Sequence, residues 1–226
     1  MTGRALLAAI LLAALAGCAD PVPPGMHLVS TEPFDPAPGG EALAFDVKTQ
    51  RLLAVQGSDI AAAALGVRPA GVVADGRGKL FATLPDGAIA RIDAGTRSVE
   101  ARWTFTGCET PRGLAIDTDG RRLFVGCANA VMLVVDADRG AQVARLPIGK
   151  DSGALAFDAR RKLIFSANGD GTLSIYAVAD EDYYLDQGSV AAAPGVRALA
   201  IDDASGRAYL VASDGGATKL LVLDPP

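Results

Sequence analysis

Two cysteines, one histidine and one dense acidic stretch hold most of the chemistry available to the body of this 226-residue chain. Cys108 lies five residues before an apolar pentad, and Cys127 directly follows the next β-prone run. In an exported chain such an even pair predicts a disulfide, since antiparallel pairing brings those two ends together. His27 is the only histidine, which removes metal sites built from several imidazoles and leaves one imidazole acid–base group. The run Asp180-Glu181-Asp182-Tyr183-Tyr184 sets three carboxylates beside two phenols. It is the most distinctive candidate binding loop, able to hold a cation or to anchor a partner through tyrosine. Catalytic signatures of the GxSxG, HExxH or phosphate-loop kind are missing, as are CxxC and CxxCH, so no catalytic residue, metal site or cofactor is expected. With 21 basic against 26 acidic residues the net charge is -5, which disfavours a nucleic-acid partner.

The first residues carry an address. A single early charge, Arg4, precedes an apolar stretch from Ala5 to Ala16 that is too short to span a bilayer. Those proportions predict an export signal over residues 1–17. Leu15-Ala16-Gly17-Cys18 resembles the lipobox of bacterial lipoproteins, in which the cysteine is lipidated and becomes the new N-terminus. Ordinary cleavage after Ala16 would instead leave an exposed thiol at Cys18 in an oxidising compartment. Residues 18–25, with Asp20-Pro21-Val22-Pro23-Pro24-Gly25, form an extended proline-rich tether. Ala19 after the cysteine resembles the pattern sorted to the outer membrane in enteric bacteria, which implies a lipid anchor there with the folded part in the periplasm.

The elements that must position these groups come from a repeat. An apolar pentad ending in aspartate recurs as ALAFD, GVVAD, GLAID, ALAFD and ALAID, ending at Asp46, Asp75, Asp117, Asp158 and Asp202. A basic residue follows each, Arg51, Lys79, Arg122, Lys162 or Arg207, and then a second β-prone run. Large and small side chains alternate within the pentads, which means a strand with one bulky and one small face. The aspartate can start a turn by accepting backbone hydrogen bonds, and the basic residue is expected opposite it across the hairpin mouth. After a first interval of 29 residues, the aspartates are spaced 42, 41 and 44 apart, which suits blades of four short strands. Residues 26–226 thus predict one all-β domain, a β-propeller of about five blades of mostly four antiparallel strands. The segment His27 to Thr31 is expected to close the ring in the last blade. The short first repeat has room for about three strands, with Ile60 to Gly66 as the third.

Pro111 to Cys127, Val134 to Gly149 and Ala154 to Tyr176 resemble the YVTN-type β-propeller repeats of bacterial envelope proteins, the YncE-like family. That resemblance implies export and a propeller but no particular reaction. Two readings follow. One is a membrane-anchored periplasmic lipoprotein that binds or scaffolds an envelope protein or small ligand through its loops. The other is a metal-dependent propeller hydrolase, such as a sugar-lactone hydrolase, with carboxylates from several blades and Asn129 or Asn168 as oxygen ligands.

Overall fold

Each aspartate-ended pentad becomes the first strand of a sheet. A computed structural model describes residues 26–33, 40–46, 51–56, 64–66, 69–214 and 217–225. Its strands are β1 (His27–Pro33), β2 (Gly40–Asp46), β3 (Arg51–Gln56), β4 (Val72–Ala74), β5 (Lys79–Thr83), β6 (Ile89–Asp93), β7 (Ser98–Trp103), β8 (Gly113–Asp117) and β9 (Arg122–Cys127). They continue as β10 (Val131–Asp136), β11 (Gln142–Pro147), β12 (Ser152–Asp158), β13 (Leu163–Asn168), β14 (Thr172–Asp180), β15 (Tyr183–Ala191), β16 (Val196–Ile201), β17 (Ala208–Asp214) and β18 (Ala217–Asp224). The proposed signal, Cys18 and the tether lie outside the described residues, among which no helix is long and apolar enough to cross a membrane.

The strands form antiparallel sheets in the orders β4-β5-β6-β7, β8-β9-β10-β11, β12-β13-β14-β15 and β16-β17-β18-β1, plus the hairpin β2-β3. Among the described residues there are therefore four complete blades rather than five. The expected third strand of the first repeat is not extended where it is described: residues 64–65 are helical, and residues 57–63 lie outside the description. Ala61 to Leu65 is strong helix-forming sequence, and Gly66, at φ +68°, supplies the left-handed residue that ends a helix. The N-terminal strand does join the last blade, with His27 opposite Asp224.

The first strands stand side by side in the order β2, β16, β12, β8, β4, the tapered inner row of a propeller. Small residues make that approach possible. A Cβ on Gly113 would lie 2.5 Å from Leu155 Cδ1, and one on Gly153 would lie 2.5 Å from the Val196 carbonyl oxygen. Farther out, alternate side chains fill opposite seams. Leu123 and Val125 of β9 pack with Phe81, Ile89 and Leu133 on one side, and Phe124 packs with Met132, Ile164 and Tyr176 on the other. A third apolar seam joins Phe165 and Leu173 to Leu199 and Leu210. Burial of each such side chain contributes about 1.5–3 kcal/mol.

Three outer strands carry an extra residue at the same place, one position before the aspartate that ends the third strand. It is Glu100 opposite Arg91/Ile92, Val143 opposite Val134/Val135 and Val29 opposite Val222/Leu223. These bulges twist the blade edges.

Candidate binding surface

Asp117 of β8 and Asp158 of β12, with Asp75 directly after β4 and Asp202 directly after β16, sit at one end of the inner strands. Four carboxylates from four blades meet the first requirement of the hydrolase reading, but each is buried and occupied. Asp75 Oδ1 accepts the backbone N–H of Arg77 at 2.8 Å and of Lys79 at 2.9 Å. Asp117 Oδ1 takes those of Asp119 and Gly120, and Asp158 Oδ1 those of Arg160 and Arg161. Asp202 takes the Ala204 N–H and the Ser205 hydroxyl. The second oxygen of two of them is claimed by the following blade. Arg121 Nη1 donates to Asp75 Oδ2 at 3.1 Å, and Lys162 Nζ reaches Asp117 Oδ2 at 3.3 Å.

Arg121 and Lys162 occupy equivalent positions, four residues after their own aspartate and both left-handed, at φ 53° and 54°. In the last blade that position is Gly206, at φ +80°, and a Cβ there would meet the Arg161 guanidinium. Arg161 fills the space, donating to Asp158 Oδ2 at 2.9 Å and to the carbonyl oxygens of Asp203 and Ala204. A cation thus bridges each of these three seams, from one side or the other.

The register sets the basic residue opposite its pentad aspartate as expected, Arg51 opposite Asp46 and Arg122 opposite Asp117, but the side chains of Lys79, Arg122 and Arg207 find their charge partners elsewhere. Lys79 pairs with Asp93 at 2.8 Å, Arg207 with Asp224 at 2.5 Å, and Arg122 lies 3.9 Å from Asp136, all third-strand carboxylates of the same blade. In the β12–β15 blade the register residue is Leu163, opposite Asp158, not Lys162. Burial pushes the Asp75 carboxyl up, but the bonds from Lys79, Arg77 and Arg121 outweigh it and hold the carboxyl below its ordinary 3.8.

The acidic–tyrosine run forms the end of β14, a tight turn and the start of β15. Arg122, from the neighbouring blade, grips it: Nε lies 2.5 Å from Asp182 Oδ1 and Nη2 2.8 Å from Oδ2. Glu181 Oε1 stands 3.3 Å from the same guanidinium. This two-pronged contact keeps the Asp182 carboxyl below its usual range. Tyr184 turns inward, edge-on to Phe124 at 6.3 Å, and burial, then the Asp182 charge, push its phenol up. Tyr183 stays 59% exposed, and Asp180 Oδ1 accepts the Glu181 N–H. Five residues read as one loop are thus divided between a clasp and an open surface. The reach of Arg122 across the seam is a link that residue spacing does not reveal.

Cys108 and Cys127 form a disulfide with their Cα atoms 5.3 Å apart. Asn129 supports that loop, accepting the Glu109 N–H and donating to the Gly107 carbonyl. Asn168, fully buried, joins Ser152, Ser166, Thr172 and Ser174 in a hydrogen-bonded chain. Both amides are therefore engaged within the fold. Among the described residues no group of three or more His, Cys, Asp or Glu is placed to hold a metal ion. A groove of about 380 Å³ flanks the β4–β7 blade, lined by Leu65, Leu84, Pro85 and Val99 with the Asp86–Arg102 ion pair at its polar side. The exposed large apolar residues Leu28, Val29, Val99, Val143, Tyr183 and Leu185 all lie on outermost strands.

No protein-family model matches the chain, and no curated relative does either. Solved structures do. Hydrazine synthase of Kuenenia stuttgartiensis aligns with a TM-score of 0.60 at 16% identity over 69% of this chain and 46% of its own. A chain of the mitotic checkpoint complex gives 0.59 at 18% identity over 70% and 49%, and U3-55K gives 0.53 at 17% over 67% and 48%. The chain spans about half the length of these structures. The likeness identifies the fold as β-propeller-like, and at such identities it identifies the fold alone.

Proposed function

We propose that this chain is a lipid-anchored periplasmic propeller of the YVTN type, serving as a binding or scaffolding module for an envelope protein or a small ligand. The observation that carries the reading is the division of labour among its polar groups. The inner turn carboxylates are consumed by backbone N–H groups and seam-bridging cations, while apolar side chains stand exposed on the blade rims. A frame of that kind holds its surface rigidly, as a recognition scaffold requires. The lipobox-like Leu15 to Cys18 supports anchoring at Cys18, and the proline-rich residues after it support a stand-off from the membrane. We take hairpin β2-β3, already beside β16, as the element that closes the ring toward β4 and makes the fifth blade.

Two measurements test this. Cys18→Ser should move the protein from the membrane to the soluble fraction and abolish palmitate incorporation. Crosslinking in whole envelopes followed by pull-down should recover a stable partner. Recovery of none, together with a rise in melting temperature on adding calcium, would transfer support to the metal-dependent hydrolase.

A further inference from the structure

Each blade ends in an outer strand, and the four ends are not alike. β7 carries Arg102, β11 carries Arg145 and Pro147, and β1 carries Pro33. Charged side chains and proline of this kind blunt an edge against strand addition. β15 has neither proline, lysine nor arginine in nine residues. It is the last strand of its sheet, so among the described residues its outer side pairs with no other strand. Tyr183 and Leu185 alternate with the inward Tyr184 and are 59% and 41% exposed.

Charge adds a second, separate constraint. Between Lys162 and Arg197 the chain has no basic residue, yet this end of β14 and β15 carries Asp180, Glu181, Asp182 and Asp186, the last with Oδ1 accepting the Gly188 N–H. Arg122 answers Asp182 and part of Glu181, whose side chain remains 84% exposed. A second copy of β15 would bring the same acidic set against this one, and like charges on paired strands destabilise. An anionic phosphate surface is opposed for the same reason.

We infer that the outer edge of β15 receives an extended segment of a partner protein in which lysine or arginine alternates with apolar residues, adding as a fifth strand beside Tyr183 to Asp186. Main-chain hydrogen bonds would supply affinity, with apolar contacts to Tyr183 and Leu185 and basic contacts to Glu181 and Asp186 supplying selection. The β-bulge at Gln187–Gly188 limits the added strand to the stretch before it. This inference rests on the scaffold reading and names its partner class.

The test uses the purified full chain in detergent and a capped heptapeptide of alternating Lys and Val. The expected result is saturable binding with slowed amide exchange at Tyr183 to Asp186. Leu185→Lys combined with Asp186→Lys should weaken it at least about tenfold. A Glu–Val peptide should not bind, and a peptide N-methylated at alternate residues should lose affinity because it cannot complete the ladder. Equal binding by the N-methylated peptide, an unaffected double variant, or no binding at all would each overturn the inference. Because it needs neither the anchor nor the native partner, its failure removes the β15 edge while envelope capture still judges the scaffold reading.

Discussion

Lys162 and Asp117, 45 residues apart, meet across the seam between two blades, with Nζ 3.3 Å from a carboxylate oxygen that is itself nearly buried. The two sides of that contact are unequal. Asp117 also caps two backbone N–H groups of its turn, whereas the Lys162 side chain is 41% exposed. Asp117→Ala should therefore cost about 1–3 kcal/mol, because two backbone donors of the turn and the Lys162 ammonium lose their acceptor together. Lys162→Ala should cost under about 1 kcal/mol, as a screened pair does. Urea unfolding of both variants checks the order, and equal losses would contradict it.

How far such contacts are legible depends on their range. The aspartates of the pentads are readable as turn starters because the bond they make is to their own next few residues. Their seam cations are not, because the contact crosses between repeats: Arg121 and Lys162 reach back to the preceding aspartate, and Arg161 reaches forward to the Asp203 and Ala204 carbonyls. Lys162 illustrates the limit: in sequence it continues the series Lys79, Arg122, Arg207, but the strand register gives that place to Leu163. The disulfide is legible because hairpin pairing is local. The division of Asp180 to Tyr184 is not, since composition presents five residues of one kind while Arg122, 60 residues earlier, decides which of them are held.

The disulfide closes a loop between residues 19 apart, with Cys127 fully buried at the end of β9. Restriction of the unfolded chain by such a bridge is worth about 3 kcal/mol. Cys108→Ala with Cys127→Ala should lower stability by about that amount, and Cys127→Ser should cost more than Cys127→Ala because a hydroxyl would be buried. Denaturant midpoints with and without reductant test it: reductant should destabilise the native chain and leave the double variant unchanged.

Acid should weaken the seams in a defined window. Asp75 and Asp138 both have carboxyls held below 3.8, Asp75 by backbone bonds and Arg121 against the opposing effect of burial, Asp138 chiefly by its hydrogen bond from Arg121. A depressed native value means stability that is full above the ordinary carboxylate pKa and is lost as pH falls below about 4. Arg121→Gln should be less stable than the parent by about 1–2 kcal/mol at pH 7, and the gap should shrink toward pH 2. A gap that stays constant across that range would show that Arg121 acts by packing and not by charge.

The inner row makes a steric prediction. Gly153 lies against the Val196 carbonyl of the next blade, and an added Cβ would sit 2.5 Å from that oxygen, closer than van der Waals contact permits. Gly153→Ala must push β12 and β16 apart, and overpacking of this kind costs about 1–3 kcal/mol. Substitution of exposed Ala74, at the end of β4, by Ser should change stability by less than about 0.5 kcal/mol. Thermal unfolding of the pair separates a close approach of strands from a general intolerance in inner positions.

Arg122 offers the sharpest distinction between charge and shape. Its guanidinium holds both oxygens of Asp182 while its side chain is only 13% exposed, so the contact is partly shielded from water and salt. A lysine keeps the charge but presents a point and not a fork. Arg122→Ala should free the turn at residues 181–182, with amide exchange there faster by about tenfold or more and global stability lower by about 1–3 kcal/mol. Arg122→Lys should restore the global value more fully than the local exchange, because attraction survives where the paired hydrogen bonds do not. Full local protection in the lysine variant would mean that Tyr184 against Phe124, and not the fork, keeps this end of β15 in place.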